Sequence, residues 1–323
     1  MEEVLKGIGE IGVVPVVRIE DAKDAVPLGE ALLAGDLPLA EITFRTEAAE
    51  QAIENISIAL PDMLVGAGTV LTVEQVKKAR AAGAKFIVSP GFNPRVVDYC
   101  LEQGIPVTPG VNSPTSIEMA LERGLNVLKF FPAEASGGLA MLKAVAGPYG
   151  GVSFIPTGGI NTRNMRSYLA SGLVHACGGS WMARADMIAA GRFAEITQLA
   201  REAVSLALGF AFERVSLCED VPAAAAASAR LLSEVFNFTL TETRDEQGGP
   251  LFTGGGVELG SAIPGASGGV LVLSTLSMAR ALAYLKRKGV GIVTDSLVEK
   301  QGECVSVTLD SSMGGFAVRL IRT

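Results

Sequence analysis

One histidine, one tryptophan and four cysteines are all that 323 residues carry of those three types, and the scarcity narrows the chemistry. A single histidine, His175, cannot build a histidine-rich metal centre, and it reads as a satisfied strand residue. The cysteines, Cys100, Cys177, Cys218 and Cys304, lie far apart with no CxxC, which opposes both a zinc site and a disulfide framework. Buried free thiols in a reducing cytoplasm account for them. Basic runs are short as well. The longest is Lys286-Arg287-Lys288, and the net charge of -7 argues against a phosphate-backbone partner, so no nucleic acid is expected. The longest apolar segment, Ala203 to Phe212, is far too short to span a bilayer, and Met1-Glu2-Glu3-Val4 lacks the basic-then-apolar pattern of a secretion signal. The expectation is a cytoplasmic protein with no membrane partner.

What the chain has in quantity is apolar residues, at 49%, and 38 glycines, the profile of a turn-rich globule. Its length suggests two domains, which the change of pattern near Gly209 places at 1–209 and 210–323. In the first, short apolar strands alternate with amphipathic helical stretches. Strands are expected at Val13–Arg18, Leu39–Arg45, Leu64–Thr69, Phe86–Ser89, Ile105–Thr108, Val127–Phe131, Val152–Thr157 and Val174–Gly178. Helices are expected at Asp24–Leu33, Glu47–Leu60, Val73–Ala82, Pro94–Gln103, Pro114–Arg123 and Thr162–Ser171, with capping or helix-starting signals at Thr46, Thr72, Asn93-Pro94, Ser113-Pro114 and Asn161. Eight strand-helix units in about 200 residues describe an α/β fold, a small TIM (β/α)8 barrel. A doubly wound open sheet is the alternative.

In a barrel, chemistry belongs at the C-terminal ends of the strands, and each of these ends is polar or glycine-rich. The sixth strand carries Lys129 inside Val127-Leu128-Lys129-Phe130-Phe131, where alternation puts Val127, Lys129 and Phe131 on one face. Burial among aromatics disfavours an ammonium, and a neutral amine can attack a carbonyl to form a Schiff base. A lysine snorkelling from a strand end is the plain alternative. Glu41 and Arg45 share a face of the second strand and could equally be a structural ion pair. Gly158-Gly159 and Gly178-Gly179, each following a strand, match the usual phosphate position of this fold, where backbone N–H groups and a helix N-terminus cradle an anion, and Ser180 adds a hydroxyl.

Seven ordered segments together resemble the 2-keto-3-deoxy-6-phosphogluconate / 4-hydroxy-2-oxoglutarate aldolase family: GVVPVVRI (Gly12 to Ile19), AEITFRT (Ala40 to Thr46), VGAGTV (Val65 to Val70), VSPGFNP (Val88 to Pro94), LKFFPAE (Leu128 to Glu134), PTGGI (Pro156 to Ile160) and GGSW (Gly178 to Trp181). The resemblance covers residues 1 to about 205. It implies a class I aldolase that needs no cofactor and no metal, cleaves a 2-keto acid to pyruvate and an aldehyde (glyceraldehyde 3-phosphate or glyoxylate), and assembles as a homotrimer. Carried across, the Schiff-base lysine is Lys129 and the acid/base glutamate Glu41. Substrate contacts fall on Arg45, Thr69, Thr157, Phe131, Arg18 and Pro90, and phosphate contacts on Gly158, Gly159, Gly179 and Ser180. A phosphate-binding isomerase or transferase, or a non-catalytic small-molecule sensor, would use the same glycine loops, but neither explains a lysine within an aromatic strand.

Beyond Gly209 the sequence suggests a strand at Phe212–Leu217, a helix at Val221–Val235 and strands at Phe238–Thr243, Leu251–Thr253 and Val257–Gly260. The order then recurs in Val270–Ser274, Ser277–Lys288, Gly291–Ser296, Cys304–Leu309 and Gly315–Ile321. This smaller α+β domain of two βαβββ modules, with GGFAVRLI (Gly314 to Ile321), resembles the glyoxalase and dioxygenase family. Active members of that family hold a divalent metal through His and Glu. Here Arg319 stands at the last-strand glutamate position and Glu258 is the one carboxylate in a plausible place, so a domain without metal and without catalysis is expected.

Overall fold

The computed structural model describes residues 1–219, 222–244, 250–261 and 269–323. It divides into two compact units, Met1–Ala207 and Leu208–Thr323. In the first unit helix α1 (Glu2–Ile11) precedes strand β1 (Val13–Val17), followed by α2 (Ala25–Ala34), β2 (Leu39–Thr43), α3 (Ala49–Ala59), β3 (Leu64–Gly68), α4 (Val73–Ala81), β4 (Ile87–Val88), α5 (Pro94–Glu102), β5 (Val107–Thr108), β6 (Gly110–Val111), α6 (Pro114–Leu121) and β7 (Val127–Phe130). Then come α7 (Gly138–Ala146), β8 (Ser153–Pro156), α8 (Met165–Leu169), β9 (Cys177–Gly179), α9 (Ala185–Ala189) and α10 (Phe193–Leu208).

All strand pairing in this unit is parallel, in the order β5-β4-β3-β2-β1-β9 and, separately, β6-β7-β8. Two joints bring these arcs together. Pro109, lacking an N–H, separates β5 from β6 just past the fifth strand expected at Ile105–Thr108, and its carbonyl accepts from the Lys129 amide at 3.0 Å. On the other side the bridges Phe154–Val174 and Thr157–Gly178 tie β8 to the β9 segment. The order therefore returns on itself as a TIM-like α/β barrel, not an open doubly wound sheet. Its strands read as unbroken apolar runs because both faces are covered, and all five residues of β2 are buried, Glu41 among them. Outside, Leu28, Leu32, Ile53, Ile56, Val76 and Val96 turn apolar helix stripes onto the strands and are fully buried.

Several helix ends depart from the sequence expectation. Thr72, Asn93 and Ser113 cap α4, α5 and α6 through their side chains. Thr46 instead donates to the Ile19 carbonyl at 2.6 Å, and α3 starts at Ala49 without a side-chain cap. Asn161 organises a turn, accepting from the Arg163 amide at 3.0 Å, so the helix begins only at Met165. Helix α1, ahead of the first strand, was not expected from the sequence. Cys100 is fully buried, and burial pushes its thiol up to about 12. Peptide mapping after alkylation at pH 8 is expected to find Cys100 unmodified in the native protein and modified after unfolding.

The second unit repeats strand, helix and three strands. The first set is β10 (Ala211–Glu219), α11 (Pro222–Glu234), β11 (Thr241–Arg244), β12 (Pro250–Gly254) and β13 (Val257–Ser261); the second is β14 (Val270–Thr275), α12 (Met278–Arg287), β15 (Ile292–Lys300), β16 (Glu303–Met313) and β17 (Phe316–Arg322). The eight strands form one sheet ordered β11-β12-β13-β10-β14-β17-β16-β15, with β10 and β14 antiparallel at the centre and each parallel to the last strand of its own set. Met278 and Ala281 of α12 pack on Val307 and Leu320. Val221, the expected start of α11, and the side chain of Cys218 lie outside the described residues. Among the described residues no helix is long and apolar enough to cross a membrane.

Candidate active site

Glu41, the middle residue of β2, and Lys129, the third of β7, both point into the space the strands enclose. Lys129 Nζ lies 3.2 Å from Glu41 Oε1, with side-chain exposures of 6% and 3%. Ile8 of α1 closes the inner side of this space with Val14, Phe86, Val88, Thr108 and Ile155, leaving about 10 Å³ unfilled. Two charges so far from water are tolerable because they face each other. The approach depends on absent side chains. A Cβ on Gly68 would sit 2.1 Å from Glu41 Oε1, and one on Gly66 would sit 2.3 Å from the Phe86 ring. The Phe131 ring centroid is 5.5 Å from Nζ, a cation–π distance.

Neither Glu41 nor Lys129 lines the cleft of about 510 Å³ whose wall begins two residues further on, at Thr43 and Phe131. Arg18, Arg45, Phe131, Thr157, Gly158, Gly159, Gly179 and Ser180 all line it. Arg45 Nε donates to Thr69 Oγ1 at 3.1 Å, so Thr69 stands behind Arg45 rather than in the cleft lining. Thr69 has φ of 54°, a conformation costly for a β-branched residue and typical of positions held for function. Gly158 and Gly159, at φ of 97° and 84°, take backbone shapes that other residues resist, and Gly179 lies so close beneath the Trp181 ring that a Cβ would come within 1.8 Å of it. The buried Trp181 Nε1 has no hydrogen-bond partner.

Pro90 lines an adjoining hollow of about 430 Å³ that meets the cleft at Phe131. Two expectations need correction. The helices after β8 and β9 are five residues each and begin at Met165 and Ala185, well past the glycine pairs, so no helix N-terminus stands directly at those glycines. Phe131 and Thr157 lie just past β7 and β8 rather than within them. His175 is satisfied in its strand region, its Nε2 2.6 Å from the Leu5 carbonyl oxygen of α1, and it takes no part in the cleft.

Sequence reasoning overlooked Arg184, which lines the outer cleft with Ala183 and Ala185. The Arg184-x-Asp186 spacing just after Ser180 was the available signal. Two Asp186 oxygens take Arg184 Nε and an Nη at 2.9 and 2.8 Å. Arg18 is paired with Glu20 at 2.8 Å. The described residues include no group of three or more His, Cys, Asp or Glu placed to hold a metal ion.

The arrangement offers an amine and a carboxylate in contact beneath a cleft rimmed with guanidinium groups, suited to acid–base chemistry on a carbonyl of an anionic molecule. The family model described as KDPG and KHG aldolase matches residues 3–199. Among relatives, the 2-dehydro-3-deoxy-phosphogluconate aldolase of Treponema pallidum is 52% identical over 206 residues, covering 64% of this chain and 98% of that one. The KHG/KDPG aldolase of Escherichia coli K12 is 45% identical over 192 residues, covering 59% and 90%. A crystal structure of KDPG aldolase from Legionella pneumophila, with pyruvate captured at low pH as a covalent carbinolamine intermediate, is 40% identical, with a TM-score of 0.60 and coverage of 62% of this chain and 97% of that one.

Proposed function

Since the chain belongs to the KDPG and KHG aldolase family over residues 3–199 and is thereby a carbon–carbon lyase of the class I aldolase type, we propose that Lys129 is its Schiff-base residue and Glu41 its acid/base. The contact between them is the observation that carries this reading, because the lysine proton has an acceptor 3.2 Å away, and Phe131 and Thr43, two residues further along the same two segments, line the cleft. The amine attacks C2 of a 2-keto acid. Glu41 returns the proton to the departing hydroxyl, water leaves, and an iminium forms. Glu41 then removes the proton of the C4 hydroxyl, the C3–C4 electron pair moves to the iminium, and an aldehyde departs. Protonation of the remaining enamine at C3 and addition of water release pyruvate and regenerate the lysine.

Arg45, held against Thr69, and Thr157 orient the pyruvate half, and Phe131 walls it. Gly158, Gly159, Gly179 and Ser180 receive the distal phosphate of 2-keto-3-deoxy-6-phosphogluconate, with Arg18 near the same end. 4-Hydroxy-2-oxoglutarate presents a carboxylate in that place. Borohydride reduction in the presence of pyruvate, followed by peptide mass mapping, is expected to leave a stable adduct on Lys129. An adduct on another lysine, or none, overturns the assignment.

Residues 210–323 are proposed as a glyoxalase/dioxygenase-like domain without a metal, attached to an aldolase domain at 1–209. Its one suitably placed carboxylate, Glu258, is already engaged by the Ser216 hydroxyl at 2.7 Å and by Arg214 Nε at 2.8 Å. The family resemblance also supports a cytoplasmic homotrimer. Sedimentation of the whole protein at three chain masses, with no stoichiometric divalent metal, is the expected outcome; another mass or a bound ion refutes the corresponding part.

A further inference from the structure

The outer cleft carries a cation that the proposed chemistry does not use. Arg184 follows the Ser180 cradle by four residues, and the Ala183 amide donates to the Ser180 carbonyl at 3.2 Å, which folds the segment back toward that cradle. Backbone dihedrals at Arg184 are extended, φ -71° and ψ 146°, and its side chain contributes to the cleft wall. Asp186 grips the guanidinium through Nε and one Nη, a two-point contact that fixes the plane of the fork. A guanidinium has five N–H groups, so three remain for another acceptor.

Asp186 Oδ2 also accepts from Arg192 at 2.8 Å, while Arg192 reaches Glu195 at 3.1 Å, so two guanidinium groups and two carboxylates hold one another in place. What Arg184 offers to the cleft it lines with Gly179 and Ser180 is its remaining N–H donors. We infer that Arg184 is a specificity residue of this aldolase, a ligand for the distal anion that favours substrates ending in a dianionic phosphoryl group over those ending in a monoanionic carboxylate. The inference rests on the aldolase reading above and adds to it a preference between the two substrate classes. Arg18, paired with Glu20 through one Nη, supplies general attraction, whereas Arg184 is the fork oriented by a two-point partner.

The test compares 2-keto-3-deoxy-6-phosphogluconate with 4-hydroxy-2-oxoglutarate as substrates of the full-length wild type, Arg184→Gln and Arg184→Lys. For Arg184→Gln the KM of the phosphorylated substrate is expected to rise roughly tenfold, the loss of an exposed charge-assisted contact, with kcat little changed and kcat/KM for the carboxylate substrate within about twofold. Arg184→Lys should recover part of the loss, since it restores charge without the fork. Wild-type preference for the phosphorylated substrate should fall as salt is added, and that salt dependence should weaken in Arg184→Gln. Equal losses on both substrates, or no loss on the phosphorylated one, overturn the inference. Borohydride trapping of pyruvate separates this failure from the larger one: an adduct on Lys129 with no selective Arg184 effect refutes the specificity role alone, whereas no adduct and no cleavage refute the aldolase reading and the inference with it.

Discussion

Lys129→Met is expected to reduce cleavage by at least about 10⁴-fold, because no other group in the inner cavity can form the covalent electron sink. The same change strands Glu41, which is 2% exposed and loses the cation at 3.2 Å. Removing one member of a buried pair costs about 3–5 kcal/mol, so the midpoint of thermal unfolding should drop on the order of 10 °C. Catalysis and stability part company in the double variant Lys129→Met/Glu41→Leu. Two apolar side chains of similar volume dispense with both desolvated charges, so stability should return to near the wild-type level while activity stays absent. A single variant as stable as the wild type, paired with a double variant that is weaker, would show that the two charges do not depend on each other as the geometry requires.

The second large effect comes from a methyl group. In Gly68→Ala the new Cβ would lie 2.1 Å from Glu41 Oε1 and 2.6 Å from its Cγ, distances that force the carboxylate aside. Overpacking of this kind costs about 1–3 kcal/mol, yet the larger consequence is chemical. A misplaced acid/base should lower kcat by roughly 10²–10⁴-fold, while Lys129, untouched, still forms a reducible adduct with pyruvate, more slowly. Gly150→Ala is the appropriate control, since a Cβ there meets nothing within 4 Å and the backbone is not left-handed. Full activity in Gly68→Ala would mean that Glu41 has another productive position.

Much of this was legible in the sequence, for identifiable reasons. Strands buried on both faces declare themselves as apolar runs, and Lys129 and Glu41 stood out because a charge inside such a run must have a partner or a purpose. Helix starts were legible where the cap is local, as at Thr72 and Ser113. They failed where a bond distant in sequence captured the same side chain, as when Thr46, just past β2, reaches Ile19, just past the neighbouring β1. Helix α1 was missed although Ile8 ends up against the inner cavity, because its ten residues lack a side-chain cap and its burial depends on the finished barrel. Arg184 escaped notice because an arginine two residues from an aspartate is ordinary until its position on the cleft rim is known.

The interruption at Pro109 bears on how the reacting groups are carried. Glu41 belongs to the arc of six strands and Lys129 to the arc of three, and main-chain bonding between the arcs is confined to the seams beside Pro109 and at the β8–β9 bridges. Acid and amine are therefore carried on different arcs, and the distance between them is set by the two seams as well as by the hydrogen-bond ladder within each arc.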